Sequence, residues 1–157
     1  MKHLIASLII AIAIANVAKA DVTHLTDEQR KILMSSTNSH DVHSTTNLPP
    51  VVIALCDAGP NGLADPGKKW RATDVISDEK LPHKRLIWAS VSGEFYVVHY
   101  ERGGYTHSYH VFLARYNKDT DKATVLWRAN GGPFKNSKVF LESLNTKSLN
   151  DAPNPYH

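Results

Sequence analysis

Side chains able to do chemistry are concentrated between positions 99 and 110 of this 157-residue chain. Four of them offer two imidazoles, a carboxylate and a hydroxyl group: His99, Glu101, Ser108 and His110. Two imidazoles and a carboxylate are the ligands that transition metals prefer. A hydroxyl group with an imidazole and a carboxylate nearby has the components of a nucleophilic triad. A small metal-binding protein or hydrolase is therefore one hypothesis for the function.

The spacing of these residues argues against both chemistries. No H-x-H or H-E-x-x-H pattern concentrates metal ligands, and Ser108 lies outside the G-x-S-x-G turn that exposes a nucleophilic serine. His99, His110 and Glu101 remain weak metal candidates. The sequence predicts no catalytic residue, no cofactor and no enzymatic activity.

The elements that must position these side chains are β-strands. Aromatic and β-branched residues dominate the segments Leu86–Val91, Glu94–Arg102, Tyr105–Tyr116 and Ala123–Arg128. The first two breaks, Ser92-Gly93 and Gly103-Gly104, suit two-residue hairpin loops, which need positive φ. The sequence predicts a small α+β domain with an antiparallel β-meander of about five strands and short flanking helices.

Further elements are predicted on both sides of the meander. Thr26 and Gln29 form a capping box, which starts a helix near position 27. The continuous apolar run Val51–Leu55 is interpreted as a buried strand, and Asn136 is expected to cap a short helix over 136–144.

Two-residue loops would determine which side chains share a face, because side chains alternate along a strand. His99 is then expected opposite Leu86 and Ser108, and His110 opposite Val97. One face is predicted to form an apolar core. The other is mixed, and it holds the four chemical side chains together with Trp88 and other aromatic residues. The mixed face is expected either to bind a partner or to be covered by the N-terminal helix and loops.

The second hairpin tip is the strongest candidate for a binding element. A narrow glycine turn there is surrounded by arginine, tyrosine, threonine and histidine, and aromatic anchors and arginine are enriched in protein interfaces. The predicted partner-binding residues are Arg102, Gly103, Gly104, Tyr105, Thr106, His107 and Ser108, with Trp88 on the adjoining face. A plain solvated turn is the alternative.

The first 20 residues have the pattern of a signal peptide. A lysine at position 2 precedes an apolar run from Leu4 to Ala15, and Ala18-Lys19-Ala20 forms a small-x-small cleavage site. The run is shorter than the roughly 20 residues of a membrane-spanning helix. We expect cleavage after about Ala20, a periplasmic or secreted location and no stable membrane insertion afterwards.

The remaining chain is expected to contain three parts: a helix and polar linker over 21–50, an α+β core over 51–145 and a loose tail over 146–157. Loss of Lys2 and Lys19 leaves 16 basic and 15 acidic side chains. Since nucleic-acid binding requires a basic stripe, no nucleic-acid partner is predicted. The single cysteine, Cys56, excludes an internal disulfide. It is interpreted as a buried thiol, with a disulfide-linked homodimer as one alternative.

Small, exported, β-rich chains with few motifs resemble, as a class, periplasmic inhibitors, including immunity proteins that neutralise cell-wall-degrading toxins. This resemblance implies a protein partner, a cognate enzyme or toxin, whose cleft the hairpin tip would enter. A non-catalytic structural component of the cell envelope is a further alternative.

Overall fold

The computed structural model describes residues 24–35, 39–75, 78–144 and 149. The predicted signal peptide and most of the predicted C-terminal tail lie outside these residues. The described chain forms a single α+β domain with an antiparallel sheet and a few short helices, which confirms the predicted fold class.

Three α-helices and one short 3₁₀ helix flank the sheet. Their bounds are α1 Asp27–Met34, the 3₁₀ helix Thr45–Asn47, α2 Pro50–Ala54 and α3 Ser137–Ser143. The predicted capping box is present, with Thr26 and Gln29 bonded in both directions. Asn136 caps α3 by accepting a hydrogen bond from the Val139 amide at 2.9 Å. Within the described residues, no helix has both the length and the apolar character to cross a membrane.

The prediction of a buried strand over Val51–Leu55 is wrong, because these residues belong to α2 and its C-terminal cap. Pro50 occupies the first helical position, where the missing amide hydrogen costs nothing and the proline φ suits a helix. A short apolar run has no period that separates a buried strand from a buried helix.

The sheet contains six strands: β1 His40–Val42, β2 Leu63–Ala64, β3 Lys84–Ser92, β4 Phe95–Arg102, β5 Ser108–Asn117 and β6 Lys122–Asn130. Its order is β1-β3-β4-β5-β6, and β2 pairs in parallel with the start of β3. The four long strands are the predicted meander.

The first hairpin turns at Gly93-Glu94 rather than at Ser92-Gly93. His99 consequently lies opposite Trp88 instead of Leu86. This slip of two residues keeps each β4 side chain on its expected face, since side chains alternate with a period of two. A bulge between Leu86 and Trp88 then exchanges the faces of the β3 side chains that precede it in the chain.

The second hairpin differs more. Its connection runs over residues 103–107, so that Arg102 pairs with Ser108 and His99 with Val111. The register moves by an odd number of residues from the expected one, which exchanges the two faces of β5. His110 therefore lies opposite Tyr100, on the face away from His99.

Both faces of the sheet are covered. Helix α2 and the segments beside it cover the first face, whose buried members are Val42, Leu48, Val52, Cys56, Leu86, Ala89, Val98, Tyr100, Phe112 and Ala114. Helices α1 and α3 cover the second, whose buried members are Leu33, Trp88, Val111, Leu113, Trp127, Ala129, Phe134, Phe140 and Leu144. The mixed face is thus covered, the second of the two expected alternatives.

Strand β6 has a bulge at Leu126, because Leu113 lies opposite Trp127 whereas Ala114 lies opposite Val125. The Leu126 carbonyl accepts a hydrogen bond from the Gln29 side-chain amide of α1 at 2.5 Å. The amide that completes the capping box therefore also ties α1 to the sheet.

Candidate functional site

His99 is a fully buried structural group. Its Nε2 accepts a hydrogen bond from the Phe134 amide at 3.1 Å, so Nδ1 carries the proton and donates to the His110 carbonyl at 2.8 Å. Burial lowers the pKa of His99 to about 4. Both ring nitrogens are occupied, and no lone pair remains for a metal.

Trp88 lies beside His99 and binds the other backbone polar group of the same residue, Phe134. Its Nε1 donates to the Phe134 carbonyl at 2.7 Å, and the side chain has 0% exposure. The assignment of Trp88 to a partner-binding surface is therefore wrong. Of the two alternatives expected for this face, coverage applies, and α3 and the segment before it contribute to the cover.

His110 belongs to the opposite face of the sheet. Its Nε2 lies 2.8 Å from the Ser108 hydroxyl group, and its ring stacks on Tyr100 with 5.1 Å between centroids. Ser108 and His110 form a pair without a carboxylate from the expected set, because Glu101 lies on the other face. The expected cluster of four side chains is thus divided by the sheet, and no group of three or more metal-ligating side chains occurs within the described residues.

Glu101 organises a separate polar cluster at the end of β4. This carboxylate is 5% exposed and accepts hydrogen bonds from Arg85 Nε at 2.6 Å and from His107 Nε2 at 2.7 Å. Trp70 packs against both partners, with its ring 4.9 Å from the Arg85 guanidinium and 5.6 Å from the His107 ring. The bond to this buried carboxylate and the contact with Trp70 together fix the position of His107.

The loop over residues 103–107, here called the β4–β5 loop, is anchored at its base. The Gly103 amide donates to the His83 carbonyl at 3.0 Å, and the Gly104 amide to the Ala72 carbonyl at 3.4 Å. A Cβ atom at Gly103 would lie 2.0 Å from the Arg71 carbonyl oxygen, so only glycine permits this approach. The loop is thus held against segment 71–72 at one end and by His107 at the other.

Tyr105 lies at the tip of this anchored loop and is 96% exposed. Thr106 is exposed beside it, whereas Gly103 is buried and Ser108 half-buried. Of the seven predicted tip residues, Gly103, Gly104 and His107 fix the loop. The exposed residues Arg102, Tyr105 and Thr106 face solvent.

An open cleft of about 990 Å³ lies next to the β4–β5 loop. Its walls include segment 56–59, Arg71 and Asp74, the start of β3, and the loop itself. Basic side chains outnumber acidic ones in this lining, four arginine or lysine residues against two aspartates.

Cys56 follows the C-terminal cap of α2 and has 0% exposure, and burial raises the pKa of its thiol to about 12. The thiolate is the reactive form of cysteine. We expect an aromatic disulfide reagent at pH 8 to modify Cys56 at least 100-fold more slowly in the native protein than in denaturant, as followed by absorbance.

Rapid stoichiometric labelling of the native protein would contradict this expectation. Such labelling would also mean that Cys56 can form a disulfide with a second copy of the chain without opening of the segment around α2.

Comparison of the chain with protein-family models, curated proteins and solved structures finds no significant match.

The sequence does not indicate that Trp70, Arg71 and Arg85 contact the β4–β5 loop or the Glu101 cluster. Arg85 lies opposite Glu101 in the β3–β4 ladder, one residue before the predicted segment Leu86–Val91. An opposite-charge pair across neighbouring strands is a usable register signal. Trp70 and Arg71 follow a loop rich in glycine and proline, and no sequence pattern there indicates what they contact.

Proposed function

We propose that the chain is an exported periplasmic binding protein that inhibits a partner enzyme, a cell-wall-degrading toxin or hydrolase, by inserting the β4–β5 loop into its cleft. The observation that carries this proposal is Tyr105, a 96% exposed aromatic side chain on a loop whose base is fixed. Export rests on the N-terminal sequence pattern, and the class of partner on the general resemblance to periplasmic inhibitors.

Anchoring matters because ordering a mobile loop on binding reduces affinity. A loop that is already held by hydrogen bonds to His83 and Ala72 and by the Glu101–His107 pair loses less entropy when it docks. A tyrosine side chain on such a support has the large rigid contact area of an interface anchor.

Replacement of Tyr105 by alanine is expected to weaken a complex with the target hydrolase at least about 30-fold, the effect of losing an interface hot spot of about 2 kcal/mol. Because the side chain is exposed, the free energy of unfolding should change by less than about 0.5 kcal/mol. The measurement is inhibition of peptidoglycan hydrolysis by a panel of periplasmic hydrolases and toxins.

Met34→Ala is the matched control, since Met34 is an exposed apolar side chain on α1, which covers the second sheet face. This variant should inhibit as the wild type does. Equal inhibition by the wild type and Tyr105→Ala would exclude the loop as the inhibitory element, and failure to inhibit any hydrolase in the panel would count against the proposed class of partner.

A further inference from the structure

The cleft beside the β4–β5 loop is lined by basic groups from separate parts of the chain. Arg71 precedes β3, Lys84 begins it, Arg102 ends β4 and Arg128 lies in β6. Asp57 and Asp74 supply the opposing charge of the lining. Four side chains distant in sequence thus converge on one cleft with an excess of positive charge.

Two of these cations are fixed by the backbone at the end of α2. Lys84 Nζ donates to the Cys56 and Asp57 carbonyls at 2.6 and 2.8 Å, and Arg128 Nη2 donates to the Leu55 carbonyl at 2.9 Å. Burial lowers the pKa of Lys84, and the charges of Arg102 and Arg128 lower it further against the effect of Asp57. The carbonyls that position these cations are neutral, so Asp57 and Asp74 are the acidic groups of the lining that oppose their charge.

The other two cations have unused donors. Arg71 Nε is buried and has no hydrogen-bond partner within the described residues. The exposed Arg102 side chain likewise makes no hydrogen bond or ion pair there. A buried donor without a partner is unfavourable, and such groups in folded proteins commonly mark the place of an ion or a water molecule.

We propose that this cleft binds a small oxyanion carrying two or more negative charges, such as a phosphate or a polycarboxylate. Arg71 and Arg102 would contact it directly, because the planar guanidinium group matches the oxygen pairs of both anions. Lys84 and Arg128 supply the surrounding positive potential. A multiply charged anion is favoured over a single carboxylate because the four basic side chains exceed Asp57 and Asp74 by two charges. This site goes beyond the proposed inhibition, and its test requires no partner.

Titration of the mature protein with sodium phosphate, citrate and acetate at constant ionic strength tests the inference. We expect saturable binding of phosphate or citrate by calorimetry, at least 10-fold tighter than that of acetate. The Nε–H resonance of Arg71 should shift during the same titration, which places the anion near the Arg71 guanidinium group. The relative affinities for phosphate and citrate identify the preferred anion.

Arg102→Gln and Arg71→Gln should each weaken binding at least 10-fold. Arg115→Gln is the control, since this exposed arginine pairs with Glu94 at the other end of β4 and lies outside the cleft lining. Arg102 is exposed, so its variant remains informative even where loss of Arg71 impairs folding. Absence of saturable binding, or equal weakening by Arg115→Gln, would overturn the proposal.

Discussion

Acidification from pH 7 to pH 4 is expected to lower the free energy of unfolding by up to about 3 kcal/mol through His99 alone. Burial holds the pKa of His99 at about 4 in the folded chain, against 6.5 for the free side chain. Between pH 4 and pH 6.5, the unfolded chain therefore binds a proton at His99 that the folded chain does not bind. The contribution of His99 is complete above pH 6.5 and is lost as the pH falls toward 4.

The measurement is urea unfolding at several pH values, with His43→Gln as the control because His43 is exposed. His43→Gln should retain the loss of stability on acidification. His99→Leu should be less stable at pH 7 by about 2–4 kcal/mol, since the Phe134 amide and the His110 carbonyl lose their partner. Its remaining stability should depend less on pH than that of the wild type.

A second measurement, on the wild-type protein, does not depend on the His99→Leu variant. The imidazole nitrogen resonances of His99 should show a neutral ring at pH 5. A protonated ring at that pH would refute the structural role assigned to this side chain.

Gly103→Ala is expected to destabilise the protein by about 3 kcal/mol or more, at the upper end of overpacking effects. The added methyl group would meet the Arg71 carbonyl oxygen at 2.0 Å and the Ala72 backbone at 2.8 Å. Neither neighbour is a flexible side chain that can move aside. The β4–β5 loop would have to leave segment 71–72, and both the presentation of Tyr105 and the shape of the cleft would change. Thermal unfolding gives the loss of stability.

Gly104→Ala is the matched comparison. Its φ of +118° strains any other residue, but no atom lies within 4 Å of the added methyl group. This variant should cost about 1–2 kcal/mol through backbone strain alone. A loss at Gly103 no larger than that at Gly104 would show that the contact with segment 71–72 is not tight.

The fold class follows from the sequence because the hairpin signals are local. Strands rich in aromatic and β-branched residues predict the meander, and an error of one position in the first turn leaves the faces of β4 unchanged. The second turn is different. Gly103 and Gly104 suggest a two-residue loop, but tertiary contacts of Gly103 with segment 71–72 and of His107 with Glu101 lengthen it. No local pattern contains those contacts, so the faces of β5 were predicted wrongly.

The candidate site also has a part that local patterns predict and a part that they do not. Tyr105 could be identified from the sequence as a residue of a hairpin tip, because a turn with an aromatic residue is a short-range pattern. The cleft could not, since Arg71, Arg102 and Arg128 are distant in sequence and line one cleft only in the folded chain. The prediction that His99 and His110 share one face of the sheet is wrong, because it depended on the register set by a single loop.

The Gln29 amide on the Leu126 carbonyl has a consequence for self-association. Strand β6 ends the sheet order on one side, and an outer strand of nine residues offers a template on which another chain can add a strand. The bulge at Leu126 breaks the regular spacing of its outward backbone groups, and Gln29 occupies one of them. On the other side, β1 has only three residues. A second copy that adds a strand to β6 would first have to displace α1. Helix α1 therefore also protects the protein against aggregation.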